Sequence, residues 1–331
     1  MAIPQHTRPA ERAEQRPPHH QGVGGSPPHD QEIRLSETGG SRRRLLYGLV
    51  ELARPRQWTK NVLVFAAPAA ARSLHDSHVL ALTTAAFLCF CLAASGTYYL
   101  NDVCDVEADR LHPRKRLRPL AAKTVPVGLA RGLGLGLLAA CVALAAVAVG
   151  LQFTLVLVLY IALMLAYSAY LKRVPVIELG IVASGFVFRA VAGGVASGIP
   201  ISQWFLLVIS FSSLFVVVGK RLAEHMALGE CSAGHRKSLG EYSPGFLRYV
   251  GAISSAVAII AYCLWAFTRL SGGMLWYELS IVPFVLGILS YALRAERGLA
   301  GAPEEVFLTD RTLQLLGLVW VALFLTGVYA V

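Results

Sequence analysis

Long apolar runs separated by short polar stretches organise this chain from about residue 60 to its end. Nine runs can be drawn, at roughly 60–75, 79–100, 125–149, 152–171, 176–197, 201–219, 246–268, 277–294 and 312–331. A helix needs about 20 apolar residues to cross the roughly 30 Å hydrocarbon layer of a bilayer, and most of these runs have them. The pattern predicts an all-α integral membrane protein, a bundle of nine transmembrane helices. The first run is the weakest, because Pro68 and Arg72 interrupt it. Small-residue stretches such as "GLGLGLLAACVALAAVAVG" suit close helix packing in lipid.

Composition agrees. The chain is 55% hydrophobic and only 15% charged, where a soluble domain of 331 residues would carry more charge. Residues 1–43 differ from the rest: Pro, His, Gln, Gly and charged residues dominate, so a disordered tail is expected before a membrane domain at 44–331. The tail lacks the apolar core of a secretory signal and is not expected to be a cleaved leader. The six cysteines lie in or beside apolar runs without ligand spacing and read as small buried hydrophobes.

The net charge of +10 is unevenly placed. Arg42, Arg43, Arg44, Arg54, Arg56 and Lys60 precede the first run, and Arg110, Arg114, Lys115, Arg116, Arg118 and Lys123 follow the second. Lys172 and Arg173 follow the fourth, Lys220, Arg221, Arg236 and Lys237 the sixth, and Arg294, Arg297 and Arg311 the eighth. By the positive-inside rule this alternation puts the N-terminus and these loops in the cytoplasm. The expected location is the cell (plasma) membrane, as a multi-pass protein. No basic stripe interleaved with aromatics points to nucleic acid. Two cytoplasmic connections, 101–124 and 220–245, are long and polar, so chemistry is expected on that face.

The densest charge lies in "NDVCDVEADRLHPRKRLRPLAA", residues 101–122. Asp102, Asp105 and Asp109 are spaced i, i+3, i+7, which on a helix puts them within about 60° of one another. Glu107 points elsewhere. Like charges so placed repel unless a cation joins them. Hard oxygen donors at this density suit Mg²⁺, which completes its shell with water and phosphate oxygens. Lys115, Arg116 and Arg118, in the basic run after them, would stabilise a departing diphosphate. A solvated loop obeying the positive-inside rule accounts for the basic residues but not for the aspartates.

"RPRQWTKNVLVFAAP" (54–68), "GTYYLNDVCDVEADRLHPRKRLRPLAA" (96–122) and "YSAYLKRVPVIELG" (167–180) resemble the UbiA-type intramembrane prenyltransferases. The NDxxDxxxD pattern matches at Asn101, Asp102, Asp105 and Asp109, and the resemblance spans about residues 45–331. It implies nine helices around a central cavity opening to the cytoplasmic face, Mg²⁺ as cofactor and a polyprenyl substrate. One departure matters. Most members carry a second aspartate-rich motif after helix six, where this chain reads "VVVGKRLAEHMALGECSAGHRKSLGEYS" (216–243). Lys220 and Arg221 stand where acids are expected, followed by Glu224, His225, Arg236, Lys237 and Tyr242. Cations there favour direct capture of a second anion.

That pattern, with "VPVIELGIVASGFVFRAVAGG" (174–194) and "GKRLAEH" (219–225), resembles one branch of the family, the decaprenyl-phosphate phosphoribosyltransferases of arabinan-making bacteria. There a polyprenyl phosphate is the nucleophile and phosphoribosyl diphosphate the electrophile. On that resemblance Lys220, Arg221, Arg236 and Lys237 would bind the 5-phosphate or the lipid phosphate, with Asn101 supporting the metal site. Lys60, Asn61, Tyr167, Lys172, Glu224 and Tyr242 are further substrate-binding candidates. Arg189 lies deep in the fifth run, where a charge is functional or paired. Glu178, three helical turns away on the same face, is either its partner or a ligand beside it. The tyrosines at segment ends, Tyr98 and Tyr99 among them, also fit an aromatic belt. Two other readings stay open. A prenyl diphosphate-dependent aromatic prenyltransferase expects a second acidic cluster, and a transporter of a phosphorylated lipid or anion expects inverted repeats or broken helices. The oligomeric state is open, a homo-oligomer included.

Overall fold

A computed structural model describes residues 42–113, 115–228, 241–268 and 274–329. The tail expected at 1–43 lies almost wholly outside these residues, and so do Arg114, Arg236 and Lys237. Residues Leu45–Val331 form one compact unit, and among the described residues it holds every helix of membrane-crossing length. Every regular element among the described residues is helical.

Helix α1 (42–53) is followed by a 3₁₀ segment, Pro55–Phe65, and the short α2 (Ala66–Ala70). The long helices are α3 (Ser77–Leu111), α4 (Val127–Ala148), α5 (Leu151–Ala169), α6 (Ile177–Ser197), α7 (Gln203–Leu228), α8 (Pro244–Phe267) and α9 (Met274–Glu296). The seven-residue α10 (Pro303–Thr309) leads into α11 (Arg311–Tyr329). Eight of these helices are long and apolar enough to cross a membrane, and they match the second to ninth predicted runs. One apolar core lies among α3–α6 and another among α6–α9, so α6 contributes to both.

Two helices outrun their apolar stretches, which corrects the reading of 101–124 and 220–245 as loops. Helix α3 has 35 residues, about 52 Å at 1.5 Å per residue, well beyond the hydrocarbon layer. Asp76 caps its start by accepting from the His78 and Val79 N–H groups. Its last turns carry the whole acidic motif. Helix α7 likewise continues to Leu228 and bears Lys220, Arg221 and Glu224.

The first predicted run is the other correction. It is not a continuous helix but the 3₁₀ segment, α2 and a turn. At three residues per turn, Arg56, Thr59 and Val62 face out, while Asn61, Val64 and Ala67 are buried. An 11-residue 3₁₀ run needs tertiary support, because its hydrogen bonds are poorer than those of an α-helix. The Trp58 Nε1–H donates to Ser95 Oγ at 3.0 Å, and the Ser95 hydroxyl donates to the Ala53 carbonyl at 2.9 Å. On the other side the backbone touches α6: a Cβ on Gly193 would sit 1.8 Å from the Val64 carbonyl oxygen. Gly193→Ala must therefore push the backbone aside. We expect a loss of about 3 kcal/mol, the upper end for overpacking, read as a lower Tm in detergent. A wild-type Tm would show that the segment is not clamped there.

Candidate active site

The i, i+3, i+7 spacing does what the sequence pattern predicts: Asp102, Asp105 and Asp109 share a face on the last turns of α3. Each meets a cation from another element. Arg54 Nη2 donates to both Asp102 carboxylate oxygens, at 2.6 and 2.8 Å. Arg118 Nη1 lies 2.8 Å from Asp109 and 3.7 Å from Asp102, so two carboxylates converge on one guanidinium. Lys172, between α5 and α6, lies 2.5 Å from Asp105. Asn101 Nδ2 sits 3.4 Å from Asp102 Oδ1. Glu107 pairs outside this face with Arg110. Lys115 and the exposed Arg116 stand in the 3₁₀ turn just beyond α3.

Sequence reasoning placed Arg54 among the cytoplasmic charges but not on this face. It takes φ 51°, ψ 57°, uncommon for a non-glycine residue. That turn brings it back over the Tyr98 ring, 4.7 Å from the centroid, and onto Asp102. Strain of roughly 1–3 kcal/mol in such a residue persists only where its surroundings hold it.

A second polar cluster grows from the 3₁₀ segment. Gln57 and Lys60 are one turn apart and nearly eclipsed, and Lys60 Nζ donates to Gln57 Oε1. Gln57 Nε2 donates at 2.7 Å to Glu304 Oε1 on α10, and Lys60 Nζ lies 3.5 Å from Glu304 Oε2. Burial pushes the Glu304 carboxyl up, but the Gln57 hydrogen bond and the charge of Lys60 outweigh it and hold it below the ordinary carboxylate value. Lys220 stands 4.0 Å from Glu224 and within electrostatic reach of Lys60 and Glu304. Tyr98 joins the clusters, within reach of Arg189, Arg54, Glu304 and Asp102 at once. Gln57 and Glu304 had no local signal, since they are 247 residues apart.

The pairing of Glu178 with Arg189 does not form. Glu178 takes Arg221 in a bidentate bond, Nε to Oε1 at 2.9 Å and Nη2 to Oε2 at 2.8 Å, while Arg221 Nη1 donates to Glu224 at 2.8 Å. The three donor nitrogens of Arg221 thus face carboxylates. Arg189 instead binds neutral groups: Asn61 Oδ1 at 2.7 Å, the Gly185 carbonyl at 2.5 Å and the Tyr160 hydroxyl at 3.0 Å. Tyr242 supports the backbone, its hydroxyl accepting the Val176 N–H at 2.8 Å. Val176 has φ 64°, ψ −50°, with Ile177 N–H bonded to the Pro175 carbonyl, a strained γ-turn that starts α6 beside Glu178. Tyr167 is half-buried near the end of α5, within electrostatic reach of Arg221.

Among the described residues no three His, Cys, Asp or Glu side chains already converge as a metal cage. The donors nonetheless fit a hard cation that takes one or two carboxylates and completes its shell with water and phosphate. Asp102 and Asp109 already share a positive charge at Arg118, and hard oxygens are the donors on offer.

The family model of UbiA prenyltransferases matches residues 62–315. The decaprenyl-phosphate phosphoribosyltransferase of Corynebacterium glutamicum is 42% identical over 310 residues, covering 92% of this chain and 93% of that one. The protein of that name from Mycobacterium tuberculosis is 46% identical over 282 residues, covering 84% and 93%. Among solved structures, a UbiA homolog from Archaeoglobus fulgidus bound to GPP and Mg²⁺ superposes with a TM-score of 0.62 at 19% identity, covering 86% of this chain and 98% of that one. A digeranylgeranylglyceryl phosphate synthase superposes at 0.64 with 15% identity, covering 86% and 99%. With the motif on α3, the fold and the full-length relatives in agreement, this chain belongs to the UbiA prenyltransferase family.

Proposed function

We propose that this protein transfers a 5-phosphoribosyl group from phosphoribosyl diphosphate to a long polyprenyl phosphate such as decaprenyl phosphate, releasing diphosphate, in the synthesis of a lipid-linked precursor for cell-wall arabinan. The observation that carries this reading is the pair of relatives of that name, matched over most of both chains. The site supports it: one acidic face on α3, and Lys220 and Arg221 on α7 where an aromatic prenyltransferase would show a second acidic motif.

In this reading the membrane domain is residues 44–331, the first run adds a ninth crossing, and the site opens to the cytoplasm from the plasma membrane. Asp102, Asp105 and Asp109 would hold Mg²⁺, which when bound neutralises charge on the leaving diphosphate. Arg54, Arg118 and Lys172, now paired with the aspartates, are placed to turn to phosphate oxygens. Lys115 and Arg116 add charge at the mouth. Lys60 and Lys220, with Arg236 and Lys237, bind the 5-phosphate or the lipid phosphate, while Asn61, Arg189, Glu178, Glu224, Tyr167 and Tyr242 shape the walls.

The lipid phosphate oxygen forms a bond to ribose C1 as the C1–O bond to diphosphate breaks. Already anionic near pH 7, it needs no general base. The aspartates are committed to charge balance, and no Ser/His or Cys/His pair among the described residues offers a covalent nucleophile. One in-line displacement therefore inverts the α-configured donor to a β-linked product. Purified protein with Mg²⁺, phosphoribosyl diphosphate and decaprenyl phosphate should yield the phosphoribosylated lipid by mass and a β anomeric proton by NMR. Prenylation of hydroxybenzoate from decaprenyl diphosphate would overturn the reading, and an α-linked product would overturn the single displacement.

A further inference from the structure

We infer that Glu304 is a specificity-determining residue that accepts hydrogen bonds from the ribose hydroxyls of the donor. The inference rests on the proposed phosphoribosyl transfer and adds an acceptor to it.

Glu304 Oε2 is buried and makes no hydrogen bond among the described residues; its nearest cation is Lys60 Nζ, at 3.5 Å. The other oxygen of the carboxylate is held by Gln57 at 2.7 Å, which fixes its plane. A buried carboxylate oxygen whose one partner is a cation at 3.5 Å keeps hydrogen-bonding capacity in reserve, so it has a place for a donor. Most other groups nearby are poorly suited to accept a hydroxyl, and Glu224 already gives one oxygen to Arg221 and faces Lys220 with the other. Lys60, Lys220, Arg54 and Arg118 only donate. The three aspartates of α3 are matched to cations, and Gln57 Oε1 is taken by Lys60.

The substrates differ in just this chemistry. Both a prenyl diphosphate and phosphoribosyl diphosphate present phosphate oxygens, which cations bind. Ribose alone brings hydroxyls that need an acceptor, and a fixed Asp or Glu reads ribose hydroxyls in dinucleotide-binding folds. Glu304 is near enough to do so here. Arg54, which holds Asp102, and Gln57, which holds Glu304, are one 3₁₀ turn apart, with the Gln57 N–H bonded to the Arg54 carbonyl at 2.9 Å, so the carboxylate and the acidic face lie along one edge of the same segment. The sequence carries no sign of this, because α10 is a seven-residue helix in a connection without a motif.

The test compares donors within each enzyme. With decaprenyl phosphate as acceptor, kcat/KM is measured for phosphoribosyl diphosphate and for its 2-deoxy and 3-deoxy analogues, in the wild type, Glu304→Ala and Glu304→Gln. Taking ratios cancels both the amount of folded enzyme and the intrinsic reactivity of each donor. A charge-assisted hydrogen bond should shift the ratio for at least one analogue by about tenfold or more in Glu304→Ala, toward the deoxy donor. Glu304→Gln, which keeps an acceptor oxygen, should shift it less. Ratios unchanged from wild type for both analogues would overturn the assignment and leave Glu304 as a support for Gln57 and Lys60. No phosphoribosylated lipid from the wild type would instead overturn the proposed function.

Discussion

Asp102→Asn, Asp105→Asn and Asp109→Asn should each lower turnover by about a hundred- to a thousandfold, the scale seen when one preorganised charge-stabilising group is lost. Asn keeps the shape of Asp and one acceptor oxygen but not the charge that balances a cation on this face. Stability should change little. Asp102 and Asp109 are buried, but their partners Arg54 and Arg118 keep about a third of their side chains in water and can be solvated when the charge goes. Partly exposed pairs contribute only about 0–1 kcal/mol. Activity and stability should therefore separate: kcat falls, the Mg²⁺ concentration for half-maximal rate rises, and the Tm in detergent stays near wild type. Wild-type turnover in any of the three, or full activity in EDTA, would overturn the metal role.

The same contrast between local and distant causes separates what is legible in the sequence from what is not. The runs that became α3 to α9 and α11 were legible because some 20 apolar residues in lipid must satisfy their own backbone, and a helix does so. Hydropathy marks the membrane and not the last hydrogen bond, so it missed the extensions of α3 and α7 into polar sequence. The aspartate face was legible because helical spacing alone creates it. The 3₁₀ segment, Pro55–Phe65, was not, because the apolar run drawn from residue 60 covers only its second half and its three-residue period serves contacts with α3 and α6. Arg54 reaches an aspartate 48 residues away, and nothing local marks that. Glu178 and Arg189 do share a face of α6, yet each found a better partner on another element.

That choice of partner sets the second large effect. Arg221 and Glu178 expose 4% and 1% of their side chains, and their bidentate bond closes the junction of α6 and α7. Glu178 also sits in the first turn of α6, where the helix dipole favours an acid. Removing one partner leaves the other charge buried and unmatched, which costs about 3–5 kcal/mol. Arg221→Ala should therefore lower the Tm sharply and reduce yield, while Lys220→Ala, whose side chain is about a third exposed, should keep the Tm and raise the KM of one phosphorylated substrate. Replacing both charges by apolar residues of similar size, Glu178→Leu with Arg221→Met, should recover most of the lost stability, because no orphaned charge remains at that bond. Unfolding of the four proteins in one detergent decides it. If Arg221→Ala keeps the wild-type Tm and changes only a substrate KM, the guanidinium leaves Glu178 for a phosphate, and the bond between α6 and α7 is a ligand site rather than a structural one.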